Sequence, residues 1–307
     1  MTGNSGYNSS MSSRFGKKKM LIGIYAVGGV LLVGAACLWC VKVSMNPERV
    51  FWNTIAQGLA TPGVTIKAEQ TTSGRTLQQI VQYSLGGSNM SHLLATLRQG
   101  DTIIRNEMIG TPKADYTRYL SIKTDQKKAD GGAIDFSSVL GVWARSDTST
   151  QLFSQSVLGT ALPLGGMGVP IGNLNPKARA DLVRQIRDDK AYAVSFGSVA
   201  KKHTNGRTIY TYDVRIEPAA YVALMKRFAQ SVGLHDLDQL DPAQYRGQEP
   251  VSLKLDIDAR AKQVVALTLP DVGYTQTYSG YGLSVQQALP KHTVTGSRLQ
   301  ELLTNLQ

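Results

Sequence analysis

Apolar residues run unbroken over a long stretch only once in this chain. Met20 to Val41, MLIGIYAVGGVLLVGAACLWCV, carries no charge over about 22 residues, enough to cross a hydrocarbon core about 30 Å thick. Elsewhere apolar positions are periodic. Val50, Phe51, Ile55 and Leu59 recur at helical spacing after Asn46-Pro47, a capping residue followed by proline at the first helical position. From Val64 to Thr124 the period shortens. VTIKAEQTT, TLQQIVQYSLG, SHLLATLRQ, DTIIRNEMIG and DYTRYLSIKT are strand-length runs separated by glycine turns, the pattern of an antiparallel meander.

The second half alternates more sharply. Leu182, Val183 and Ile186 mark a helix after Asn175-Pro176, and AYAVSFGSVAKKH reads as one strand. Asn205-Gly206 is a hairpin turn leading to RTIYTYDVRI, where Tyr210, Tyr212, Val214 and Ile216 share a face. Helix 218–233 follows, with Tyr221, Leu224, Met225, Phe228 and Val232 as its apolar stripe. In VSLKLDID, Val251, Leu253, Leu255 and Ile257 alternate with Ser252, Lys254, Asp256 and Asp258, and QVVALTL returns beside it. Another strand is expected over 272–280. Leu299, Leu302, Leu303 and Leu306 make a short terminal helix. Residues 125–175 are less regular: short helices are expected over Phe136–Ala144 and Gln151–Leu158, and PLGGMGVPIG, 163–172, is an apolar glycine-rich loop.

Charge orients the apolar span. Arg14, Lys17, Lys18 and Lys19 precede it, against Lys42 and Arg49 after it, which puts the N-terminus in the cytoplasm and the remainder outside. Residues 1–19 form a polar cytoplasmic tail, too poor in apolar groups to fold; 20–43 is a transmembrane helix; and 46–307 is an extracytoplasmic domain. A cleaved signal, a buried core helix and a lipoprotein signal compete with the uncleaved anchor. A signal's apolar centre is usually shorter, and a helix directly after a basic cluster does not suit a core. Cys37 follows Gly34, Ala35 and Ala36, small residues that suit lipid attachment, but Gly34 stands where a lipobox has leucine.

Net charge is +11, of which residues 46–307 carry a dispersed +6, compatible with anionic envelope polymer or lipid headgroups. Aromatic residues do not interleave with bases, so a nucleic-acid partner is not expected. Both cysteines, Cys37 and Cys40, lie in the apolar span, so the exported part must be held by its core and not by disulfides, a trait of bacterial surface proteins.

Chemical motifs are sparse. His92, His203, His235 and His292 are scattered and read as surface residues. GxSxG and GxxxxGK[ST] are absent. His235, Asp236, Asp238 and Asp241 lack the glycine and distal glutamate of a calcium loop. Asp256 and Asp258 share a strand face, but Lys254 balances them there. No catalytic, cofactor or metal site is expected, and the chain reads as a non-enzyme.

The expected fold is α+β: a transmembrane helix, then a curved antiparallel sheet with helices gathered on one face. Tyr192–Leu269, with the helix after IEPAAYVALMKRF and the hairpin VSLKLDIDARAKQVVALTL, resembles the half-barrel of the periplasmic lipoprotein-carrier and mycobacterial lipid-binding lipoprotein families, whose late strand pair reads LxIDxxxxxVxxL. The resemblance implies an apolar cavity between helices and sheet. Its candidate lining is Tyr210, Tyr212, Val214, Leu253, Leu255 and Ile257 from the sheet, with Leu224 and Phe228 from the helix. The alternative is that these residues fill a core and the domain is a cell-surface interaction or envelope-structural module without a small ligand. A fixed anchor suits binding, sensing or local presentation better than transport between membranes. The partners expected are the membrane and a lipid or envelope polymer; protein partners are not indicated.

The charge asymmetry makes a direct prediction. Protease added to intact spheroplasts should remove the 46–307 domain and leave only a short protected fragment. Protection of the whole C-terminal region would reverse the orientation.

Overall fold

The structure is a computed structural model. It describes residues 44–306 except 87–88, 129, 149–155, 167 and 235–236. The apolar span 20–43, with Cys37 and Cys40, lies outside the described residues. Among those described, no helix is long and apolar enough to cross a membrane.

The fold is mixed α+β, with few helices on a large, open, curved sheet. Thirteen strands among the described residues run in the order β13-β6-β5-β4-β3-β2-β1-β12-β11-β10-β9-β7, with β8 also on β9. Strands β1 (Gly63–Thr72), β2 (Arg75–Ser84), β3 (Met90–Gln99), β4 (Thr102–Gly110) and β5 (Ala114–Lys123) form the expected meander. β6 (Ala144–Asp147) and, parallel beside it, β13 (Val294–Thr295) extend it. β9 (Arg207–Ile216), β10 (Val251–Asp258), β11 (Gln263–Leu269) and β12 (Tyr274–Ser279) form the second half, and β12 joins the halves by pairing with β1. A bulge between Arg105 and Asn106 and another between Asp256 and Ile257 bend the ladder.

Strict alternation makes one face apolar. Tyr212 lies opposite Leu255, Leu255 opposite Leu267, Leu267 opposite Gln276, and Gln276 opposite Ala68, so one buried rank crosses five strands. Helices α1 (Pro47–Ala60), α2 (Val157–Gly166) and α4 (Pro218–Ser231) cover that face. From α1, Phe51 packs on Tyr212 with ring centroids 5.4 Å apart; from α4, Tyr221 meets Tyr192 at 6.2 Å. α3 (Pro176–Asp188) starts as expected, the Asn175 side chain accepting from the Ala178 N–H. α5 (Gly296–Thr304) buries Leu299 against Val139 and Ala144 beyond β6.

Three expectations need correction. Phe136–Ala144 is not a helix. Asp135 accepts hydrogen bonds from the Ser137 N–H and hydroxyl, one turn forms, and Gly141 at φ 76° ends it. This turn buries Val139, and its end, Ala144, opens β6. AYAVSFGSVAKKH is not one strand. It divides into β7 (Tyr192–Val194), a 3₁₀ turn at Phe196–Ser198 and β8 (Ala200–Thr204). The break turns Phe196 onto Phe51, centroids 5.8 Å apart. The glycine-rich loop is partly helical, since α2 runs to Gly166.

The rest of that loop, Gly168 onward, is pressed between layers. A Cβ on Gly168 would lie 2.8 Å from Leu255 Cδ1 and 2.9 Å from Leu267 Cδ1; one on Gly172 would lie 2.3 Å from Phe228 Cε2. Gly172, Asn173 and Leu174 donate their N–H groups to the carbonyls of Gly58, Thr61 and Leu59, at and just beyond the C-terminus of α1. Gly172→Ala should therefore cost about 1–3 kcal/mol by overpacking. Gly197→Ala, where a Cβ meets nothing within 4 Å, should stay within about 0.5 kcal/mol. Paired denaturant titrations check both, and equal effects would remove the tight contact.

Candidate functional site

All eight expected lining residues are buried, from Tyr210 at 6% exposure to Tyr212, Leu255 and Ile257 at 0%. The ladder sets Val214 opposite Leu253, Tyr212 opposite Leu255 and Tyr210 opposite Ile257. Leu224 and Phe228 are on the buried side of α4. Phe51 packs on Tyr212, Gly168 lies on Leu255, and Gly172 lies on Phe228. At these three positions the space over the sheet is taken by the chain itself.

A polar network crosses this covered face. The Gln276 amide donates to the Leu164 carbonyl and the Tyr274 hydroxyl, and accepts from the Tyr278 hydroxyl. Tyr221 donates to the Gly166 carbonyl 3.0 Å away. Burial pushes the phenols of Tyr83, Tyr192 and Tyr278 well above their ordinary value, so they act as neutral groups. The Tyr83 and Tyr192 hydroxyls are buried without a hydrogen-bond partner among the described residues.

A cleft of about 940 Å³ lies elsewhere, at the rim of the sheet. Strand ends and the β4–β5 turn contribute Met90, Lys113, Ala114, Tyr116 and Arg145. The opposite side is the 172–175 segment and the C-terminal end of α4, Ser231–Gly233, and Leu289 comes from the segment that links β12 to β13. None of the eight expected residues lines this cleft. Its residues are scattered along the chain in turns and strand ends, so no periodicity marks them; only the exposed Leu289 stands out locally, at 43% exposure.

Beside the cleft, Asp115 is 6% exposed, and its carboxylate accepts from the Val157 N–H at the start of α2. The other carboxylate oxygen is buried without a partner. Burial outweighs that hydrogen bond and raises the acid from 3.8 to about 6.

Several other charged groups have structural duties. Glu107 accepts from His92 (2.8 Å) and Arg118 (2.7 Å), and Arg118 stacks over Trp143 at 4.6 Å. Burial works to raise the Glu107 carboxyl, but the His92 and Arg118 hydrogen bonds win and hold it below its ordinary value. His92, expected on the surface, is thus half-buried; the β3–β4–β5 register that unites this cluster is not visible in local spacing. His203 is exposed and bonds Thr208, His292 is exposed, and His235 and Asp236 lie outside the described residues. Asp258 caps the β10–β11 turn through the N–H groups of Arg260 and Ala261, while Asp256 accepts from Thr211. Asp238 bonds Gln230, and Asp241 caps Ala243. Among the described residues, no group of three potential ligands could hold a metal.

Asp115 yields a pH prediction. Its folded pKa is raised, so the stability contributed by its proton is present below about pH 4 and lost as pH rises through about 6. Asn cannot ionise but can still accept from Val157. The melting temperature of Asp115→Asn minus that of wild type should climb by on the order of 3 °C between pH 4 and pH 7. A flat difference would show that the carboxyl titrates normally.

No family model matches the chain, and no curated protein matches it. Among solved structures, the crystal structure of Mycobacterium tuberculosis lipoprotein LppX is similar over 80% of this chain and 98% of that chain, with 12% sequence identity and a TM-score of 0.30. A likeness that distant leaves the functional argument to the site itself.

Proposed function

We propose that residues 46–307 are an extracytoplasmic binding domain anchored by the 20–43 segment, which holds a lipid or other hydrophobic ligand without catalysing a reaction. The observation that carries this reading is the rim cleft. Its volume of about 940 Å³ falls in the range of small-ligand sites, and Met90, Ala114, Tyr116, Leu174, Val232 and Leu289 give it an apolar lining. A ligand there would be held by burial of apolar surface, at roughly 25 cal/mol per Å² before the costs of binding are subtracted.

The second reading, an interaction or envelope-structural module, is favoured by the filled face at Leu255 and Phe228. Under it those residues are core, and the cleft is an incidental surface feature.

Two variants separate the readings. Leu255→Trp should destabilise the domain by about 1–3 kcal/mol, since Gly168 already occupies the space beside it. Leu289→Ser, at a partly exposed site, should leave the melting temperature nearly unchanged. It should weaken saturable labelling by a photoactivatable hexadecanol several-fold in full-length protein held in nanodiscs. Wild-type protein with no saturable labelling beyond that of the lipid would leave the interaction module standing. A Leu255→Trp variant that stays stable would return the ligand space to the covered face.

A further inference from the structure

The cleft has a chemical polarity beyond its apolar lining. Two cations border it, Lys113 in the β4–β5 turn and Arg145 on β6, and no acidic residue lines it. Both are exposed, and neither is in an ion pair among the described residues. Asp147, two residues along the same strand face as Arg145, is also exposed but is not part of the lining, so the border keeps a positive balance.

Backbone contacts fix where these charges stand. The Lys113 N–H donates to the Thr111 hydroxyl, and the Lys113 carbonyl accepts from the Thr148 N–H. Arg145 lies directly opposite Tyr116 in the β5–β6 ladder, so a guanidinium and an aromatic ring stand side by side on one sheet face. Helix ends do not decide the sign of the site. The N-terminus of α3 at Asn175 and the C-terminus of α4 at Ser231–Gly233 both border the cleft, and their partial charges oppose each other. Within the lining the side-chain cations are what remain; the Asp115 carboxyl beside the cleft is buried and accepts from the Val157 N–H.

We propose that the rim cleft takes an anionic amphiphile, its headgroup between Lys113 and Arg145 and its hydrocarbon tail on Met90, Tyr116, Leu174 and Leu289. This rests on the ligand-binding reading above and adds the class of ligand. A neutral lipid would leave both cations unused, and a free inorganic anion would leave the apolar lining wet. A carboxylate or a phosphate on a long chain satisfies both halves, since either anion accepts the planar donors of arginine and the point charge of lysine.

The test uses three photoactivatable probes with one tail: hexadecanol, hexadecanoate and hexadecyl phosphate. Full-length protein in phosphatidylcholine nanodiscs is labelled over a concentration series, and the cleft peptides are quantified by mass spectrometry against lipid-only controls. At least one anionic probe should half-saturate labelling at about tenfold lower concentration than the alcohol. Lys113→Gln with Arg145→Gln should bring that probe to the level of the alcohol, with alcohol labelling and melting temperature unchanged. Preference for hexadecanoate would identify a free fatty acid, and preference for hexadecyl phosphate a phospholipid-type headgroup. Equal labelling by all three probes, or a preference that survives the double substitution, would overturn the anionic class while the ligand-binding reading stands. Absence of saturable labelling by every probe would remove both.

Discussion

The structure depends on how closely the backbone after α2 can approach its neighbours. At Gly168 a side chain would run into methyl groups of Leu255 and Leu267, and at Gly172 into the Phe228 ring. Gly58 on α1 makes the matching concession, since a Cβ there would lie 2.6 Å from Val169 Cγ1. Because these positions lack side chains, the segment can lie between sheet and helices and offer its N–H groups to the end of α1. One stretch of chain thus fills the covered face, satisfies a helix terminus and, through Gly172 to Asn175, supplies a wall of the rim cleft.

Filling the face this way has a polar consequence. Tyr83, Tyr192, Tyr274, Gln276 and Tyr278 are all buried on the covered side, where an alternating strand pattern would call for aliphatic residues. Gln276 and Tyr221 are used to hold the carbonyls of Leu164 and Gly166 near the end of α2, but the hydroxyls of Tyr83 and Tyr192 remain unmatched. Each such group costs about 1–3 kcal/mol of desolvation. The unpartnered Asp115 oxygen beneath the start of α2 adds to that. The seat of α2 therefore mixes satisfied and unsatisfied polar groups, while the sheet under α1 and α4 is joined by aromatic and aliphatic packing.

The sequence was most legible where local period and final environment agree. The alternation over Tyr210–Ile216 and Leu253–Ile257 names one buried face, and both runs pair in the register that sets Leu255 opposite Tyr212. The helix stripe of Leu224 and Phe228 was readable for the same reason. The path of Gly168–Leu174 was not, because a glycine-rich apolar run signals close approach without naming the surface approached. Phe136–Ala144 misled because its apolar residues serve a turn that covers a sheet end and not a helix face. The transmembrane assignment belongs to residues outside those described.

This division also explains why a functional site would lie at the rim. Residues deep on the covered face answer to packing: the space beside Leu255 is already occupied, so a ligand there would have to displace part of the chain and its hydrogen bonds to α1. At the rim the constraints relax. Strand ends, a turn and a helix terminus meet there without a common period, and the ladder still holds Tyr116 and Arg145 in fixed relation. Apolar surface there is only partly covered, as Leu289 shows, and cations can stay solvated while reaching an anion. A site of this kind draws its rigidity from the sheet and its chemistry from the loops, so its chemistry can vary while the core that positions it stays the same.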